Sequence, residues 1–134
     1  MSLNDEERGL VVSLELEKAF SMMVQARLGK DNKMWDMVAN RLYYAAFHAV
    51  CALLINGGFE VGTHRGAAIR FRQYYVVTGV FSVEESHLYS RLQQLREEGD
   101  YNCYIQTSEQ EIVPCIEPTQ LFIEKIKNVI GRPA

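Results

Sequence analysis

The sequence predicts an all-α protein, an up-down bundle of four to five helices. Three observations carry that reading. Apolar residues recur at helical spacing, beginning with Leu10, Leu14 and Val24 and joined by Val11, Phe20 and Met23. Ser82 to Glu85 and Ser108 to Glu111 both have the S-x-x-E pattern of a capping box that opens a helix. Glycines and prolines divide the periodic segments, and no segment has an evident partner strand.

Asn4 to Leu28 reads as the first helix, ended by Gly29 and weakened in its first turns by Gly9. Asp31 or Asn32 is placed to cap a second helix running to about Asn56, where Gly57 and Gly58 supply a stop. Gly57 to Gly62 is a loop. The stretch "YYVVTGVF" suits a strand as well as a helix, but its helical neighbours favour a third helix from Thr63 to about Val77. The Ser82 box opens a fourth, to about Gly99 or Tyr101. Beyond the Ser108 box, Pro114 and Pro118 leave a short turn, a break and a final helix from about Pro118 to Ile130.

The chain has 134 residues, 48% hydrophobic and 23% charged, which suits one domain spanning 1–134. A formal charge of −3 argues against a wholly basic nucleic-acid surface. Cys51, Cys103 and Cys115 are odd in number and lack C-x-x-C spacing, so neither a disulfide framework nor a zinc site is expected. Asp5, Glu6 and Glu7 precede any apolar run, the reverse of a signal peptide. The run from Leu42 to Phe59 carries His48 and two glycines, content that does not suit a membrane span. The expectation is a soluble cytoplasmic protein without membrane partner, metal or cofactor. No G-x-S-x-G, P-loop, G-x-G-x-x-G or H-E-x-x-H motif occurs.

The informative stretch is "NRLYYAAFHAVCALLINGG", residues 40–58. Seven steps of about 100° bring Arg41 and His48 within about 20° of one helix face, about 10 Å apart along the axis, with Tyr44 and Ala45 between them. A lone histidine in an apolar helix is usually packed against a carbonyl, and a lone arginine usually pairs with a carboxylate. Side chains lean toward the helix N-terminus, however, so Arg41 leans away from His48 of its own chain. A two-fold dimer with this helix antiparallel to its mate would set Arg41 opposite the second copy's His48. Ala45, Ala46 and Ala49 are small enough to permit that approach.

The stretch "NRLYYAAFHAVCALL", followed by "GTHRG" (62–66) and "LREEGDY" (95–101), resembles the HEPN family, in particular its small stand-alone branch. The resemblance runs from about Leu28 to the C-terminus. It implies a dimeric HEPN-like helical bundle. In active members an Arg and a downstream His form a metal-independent endoribonuclease site at the dimer interface. Arg41 and His48 match that pair, and Asn40 matches the polar residue often found beside the Arg. Relatives are often encoded beside a small nucleotidyltransferase as a toxin–antitoxin pair. The best-known toxins of that pairing carry, two positions after the His, a Tyr that the partner modifies; here that position is Val50.

Metal-independent RNA cleavage needs a base for the 2′-hydroxyl, an acid for the leaving oxygen and cations for the phosphate. Two copies of His48 can divide the first two tasks, and Arg41 from each copy can clamp the phosphate. Asp100 either pairs with Arg96 one turn away or orients Arg41 or His48 from a neighbouring helix. His64, Arg65, Arg70 and Arg72 lie in a segment without acidic residues. They form either a solvated face or a stripe that binds RNA or a partner, and His64 itself reads as a cap or loop residue. Tyr43, Tyr44, Tyr74, Tyr75, Tyr89 and Tyr104 are core residues or stacking surfaces for bases. Besides the ribonuclease, two readings stay open: a non-catalytic module that binds nucleotide or RNA or docks a nucleotidyltransferase, and a purely structural dimer.

Overall fold

The computed structural model describes residues 3–104 and 106–132. Among these residues there are six α-helices and no strand: α1 (Asp5–Asp31), α2 (Trp35–Asn56), α3 (His64–Phe71), α4 (Val83–Tyr101), α5 (Glu109–Ile112) and α6 (Ile116–Ile130). A π-helical turn, Arg72–Val76, extends α3, and a 3-10 turn, Val113–Cys115, joins α5 to α6. The all-α bundle expected from the periodicity is therefore the fold. α2 is its axis, packed against α1, α4 and α6. This is the one described helix long and apolar enough to cross a membrane, and 67% of its most apolar window is buried inside the bundle.

Local chemistry sets the helix ends. Asn4 caps α1 in a reciprocal box: its Oδ1 accepts from Glu7 N at 2.8 Å while Glu7 Oε1 accepts from Asn4 N at 3.0 Å. Gly29 does not end α1. The helix passes through it to Asp31, and a Cβ there would stand 3.1 Å from Val38 Cγ2, so glycine at this position lets α1 and α2 approach closely. Asp31 and Asn32 do not cap α2 either. Asn32 closes α1, its Nδ2 donating to the Leu28 carbonyl at 2.8 Å, and α2 begins at Trp35 without a side-chain cap. Gly58, at φ 88°, supplies the left-handed turn that follows α2.

Thr63 caps α3, its Oγ1 accepting from Gly66 N at 2.8 Å. The "YYVV" segment is helical as expected, but it winds as a π turn in which Val77 N donates to Arg72 O at 2.9 Å. The Ser82–Glu85 box forms in full at α4. At α5 only half of the expected box forms: the Ser108 hydroxyl accepts from Glu111 N and donates to the Glu111 carboxylate. α6 starts two residues before Pro118, which still sits in the first turn, where a missing N–H breaks no helical bond.

On α1 the packed face is Val12, Ala19, Met22, Met23 and Ala26. Leu10, Leu14 and Val24, the residues that announced the helix, are exposed at 62%, 53% and 61%. Across the bundle, Phe71, Phe81, Tyr89 and Phe122 form an aromatic centre, with the Phe71 and Phe122 rings edge-on at 5.7 Å. Phe122→Ala should remove about 3–5 kcal/mol of stability, read as a lower urea midpoint with an unchanged slope.

Candidate functional site

Arg41 is held by a relay from another helix. Asp100 Oδ2, in the last turn of α4, accepts from Asn40 Nδ2 at 2.8 Å, and Asn40 Oδ1 accepts from Arg41 Nη1 at 2.6 Å. The carboxylate fixes which way the Asn40 amide faces, and that amide presents its oxygen to the guanidinium. Arg41 Nε is enclosed without a partner among the described residues.

Asp100 stands 3.9 Å from Arg96 Nη1, too long for a tight pair. Arg96 is instead buried against aromatic faces, its guanidinium carbon 4.9 Å from the Tyr43 centroid and 5.6 Å from those of Tyr44 and Tyr101. Its Nη1 also donates to the Tyr101 hydroxyl at 3.3 Å. Burial works against the charge, but the Tyr101 bond and the surrounding tyrosines outweigh it and raise the guanidinium pKa.

One turn or more beyond Tyr44, His48 enters a separate cleft of about 230 Å³ lined by Glu15, Phe47, His48, Cys51, Ile55, Val61, Gly62, Thr63 and His64. His48 Nδ1 meets Glu15 Oε2 at 2.8 Å. An ionised carboxylate only accepts, so with that carboxylate the Nδ1 carries the proton and a neutral ring keeps its lone pair on Nε2. His64 stacks on Phe47 at 4.1 Å and 17°, and its Nδ1 lies 2.7 Å from the Tyr43 hydroxyl. Desolvation, with Arg96 and His48 nearby, lowers the His64 pKa. Burial carries the Tyr43 hydroxyl to about 12, so it stays protonated. Burial, with Glu15 adding to it, likewise pushes the Cys51 thiol to about 12, which leaves it a packing group.

The structure brings together Asn40, Arg41 and Asp100, and separately His48 and His64. It does not bring Arg41 into the His48 cleft. Tyr44 lies between the two groups, 6.3 Å from His48 and under Arg96. Ala45, Ala46 and Ala49 are fully buried within the chain, so they offer no surface to a second copy. His64 is not the cap of α3; Thr63 is. Nor does His64 share a solvent face with the arginines. Arg65 and Arg72 are exposed, while Arg70 donates to the Glu60 carbonyl.

Glu15, Phe47 and the buried role of Arg96 escaped the sequence reading. Glu15 left a faint trace, an acidic residue in register with inward-facing Val12, Ala19 and Met22.

An all-α bundle packed around one central helix is the architecture that holds this candidate site. The model described as the HEPN domain matches residues 12–129, and the chain belongs to the HEPN domain family. It is similar to a UPF0332 protein of Thermotoga maritima, 27% identical over 128 residues, covering 96% of each chain. A UPF0332 protein of Archaeoglobus fulgidus is 28% identical over 121 residues, 90% of this chain and 96% of the relative. A Methanocaldococcus jannaschii protein named "Putative toxin MJ0605" is 27% identical over 128 residues, 96% of this chain and 94% of that one.

The depressed His64 pKa has a consequence for folding. The unfolded chain takes up this proton near 6.5, whereas the folded chain resists it, so the stabilisation is complete above that value and is lost as pH falls below it. Between pH 7.5 and 5.5 the urea midpoint of wild type should fall further than that of His64→Gln.

Proposed function

We propose that the protein is a metal-independent endoribonuclease, the toxin of a toxin–antitoxin pair, whose site is completed by a second copy across a two-fold axis. The observation that carries this reading is that Arg41 and His48, on one face of α2, are each held by a hydrogen-bonded acceptor, Asn40 Oδ1 and Glu15 Oε2. Residues that only filled space would not need such placement.

Arg41 acts as the phosphate clamp, positioned by Asn40 and Asp100. His48 acts as base through Nε2, and the second copy's His48, protonated, gives its proton to the leaving oxygen. Because the alanines of α2 are covered, the second copy contacts the Arg41–Tyr44–His48 strip through its larger side chains. Exposed Arg65 and Arg72 extend the phosphate track. The names of the Methanocaldococcus relatives support a toxin role. The three free cysteines accord with a cytoplasmic setting. A nucleotidyltransferase antitoxin would neutralise it without modifying the position held by Val50.

A second reading, a binding module that holds RNA without cutting it, rests on the tyrosine-lined Arg96 region beside Arg41. The two separate in one assay. Purified protein in EDTA should cleave structured RNA, and His48→Ala and Arg41→Ala, matched for folding and dimerisation, should each lose about 10²–10⁴-fold. Binding without cleavage by wild type would favour the module.

A shared site also makes a quantitative demand. If both copies of His48 serve one site, co-assembled wild type and His48→Ala should show activity that falls as the square of the wild-type fraction. Two independent sites would give a linear fall.

A further inference from the structure

We propose that His64 is a further catalytic residue, a neutral hydrogen-bond donor to the phosphodiester whose 2′-hydroxyl is deprotonated by His48. This rests on the ribonuclease reading and adds a residue from a different helix to it.

The inference begins from two imidazoles in one cleft that are wired differently. His48 Nδ1 faces a carboxylate, which can only accept, so Nδ1 is the protonated nitrogen and Nε2 is the acceptor. His64 Nδ1 faces a hydroxyl, 2.7 Å away on Tyr43. Tyr43 is fully buried, and its other polar neighbour, the Tyr89 hydroxyl, stands on the donor side of their contact, so the acceptor left for the Tyr43 proton is His64. A buried O–H without an acceptor is costly, so Tyr43 donates and His64 Nδ1 accepts. The proton of His64 therefore sits on Nε2. One ring offers the cleft a lone pair, the other an N–H.

The surroundings keep His64 neutral. Desolvation and the fixed charge of Arg96 oppose a positive charge there, and His48 adds to them when it is protonated. Its place in the first turn of α3, at the positive end of the helix dipole, works in the same direction. Phe47, stacked on its face, fixes the ring plane. Among the described residues Glu15 is the one carboxylate lining the cleft, and its Oε2 accepts the Nδ1–H of His48.

A ribonucleotide presents the matching pattern, a 2′-hydroxyl donor beside phosphate oxygens that accept. In the step, the 2′-hydroxyl proton passes to His48 Nε2 and the freed oxygen lone pair forms a bond to phosphorus. The bond from phosphorus to the 5′-oxygen breaks, and that oxygen takes a proton from the second copy's His48. The products are a 2′,3′-cyclic phosphate and a 5′-hydroxyl. His64 keeps its proton throughout and donates a hydrogen bond to a non-bridging oxygen as negative charge gathers there.

The first test is the ¹⁵N spectrum of the imidazoles in wild-type protein at neutral pH, with exposed His87 as the internal control. His64 should report Nε2–H and His48 Nδ1–H, and Tyr43→Phe should turn His64 into a tautomer mixture. Titration with an RNA oligonucleotide carrying 2′-deoxy residues, which cannot be cut, should shift His64 and His48 but not His87. In cleavage assays His64→Ala should lower kcat about 10²-fold with little change in KM, and His64→Gln, which retains an N–H donor, should recover part of it. A charged His64, an Nδ1–H tautomer, an unmoved His64 signal or an unchanged kcat in His64→Ala would each overturn the proposal. If wild type binds the oligonucleotide through both rings yet cuts no RNA, the ribonuclease reading fails along with the catalytic role, while the tautomers stand as a binding arrangement.

Discussion

The bundle depends on the packing of α2 against three other helices at once. A helix buried on three sides has only a narrow strip left for polar groups, and every polar side chain it carries must find a partner close by. That constraint explains the composition of the strip. Alanines and a glycine-to-valine contact bring α1 onto one flank, and α4 and α6 cover the others. What remains partly accessible includes the line through Arg41, Tyr44 and His48, so the helix that organises the core also carries the candidate site.

The partners that satisfy this strip come from different helices and do more than neutralise it. Glu15 reaches from α1 and Asp100 from α4, while His64 comes from the start of α3. For Glu15 and Asp100 an ionised carboxylate, which only accepts, meets an ambivalent group, an imidazole or an amide, and removes the ambiguity. The tertiary fold thus settles proton positions that the side chains alone leave open. Arg96 differs: it is surrounded by tyrosine faces, which stabilise a buried cation without a tight carboxylate.

Helix existence was legible in the sequence wherever periodicity and capping chemistry agreed, as at Ser82 and the pair Gly57–Gly58. It misled where a residue serves packing instead of local geometry. Gly29 looks like a terminator but is a contact point, and Asn32 looks like a start but closes the preceding helix. Leu10, Leu14 and Val24 marked the period of α1 correctly while lying on its outer face, because alanines and methionines form the inner one. For the site, Arg41, His48 and their face followed from spacing within a single helix. Glu15 and the inward turn of His64 did not, since they depend on contacts across 33 and 21 residues that no local pattern encodes.

Asp100 lies within the final turn of α4, and the ends of helices open far more often than their middles. Each such opening removes the acceptor that orients Asn40 and so releases Arg41 from its set direction. The segment after α4 restrains this: Thr107 N donates to Asp36 Oδ1 at 3.0 Å, and Gly99 leaves room for Thr107 to lie against the helix. The Arg41 geometry is therefore tied, through Asp100, to a contact between Thr107 and the start of α2. A sequence change in that segment would act as a change in duty cycle, leaving every distance in the assembled state as it was.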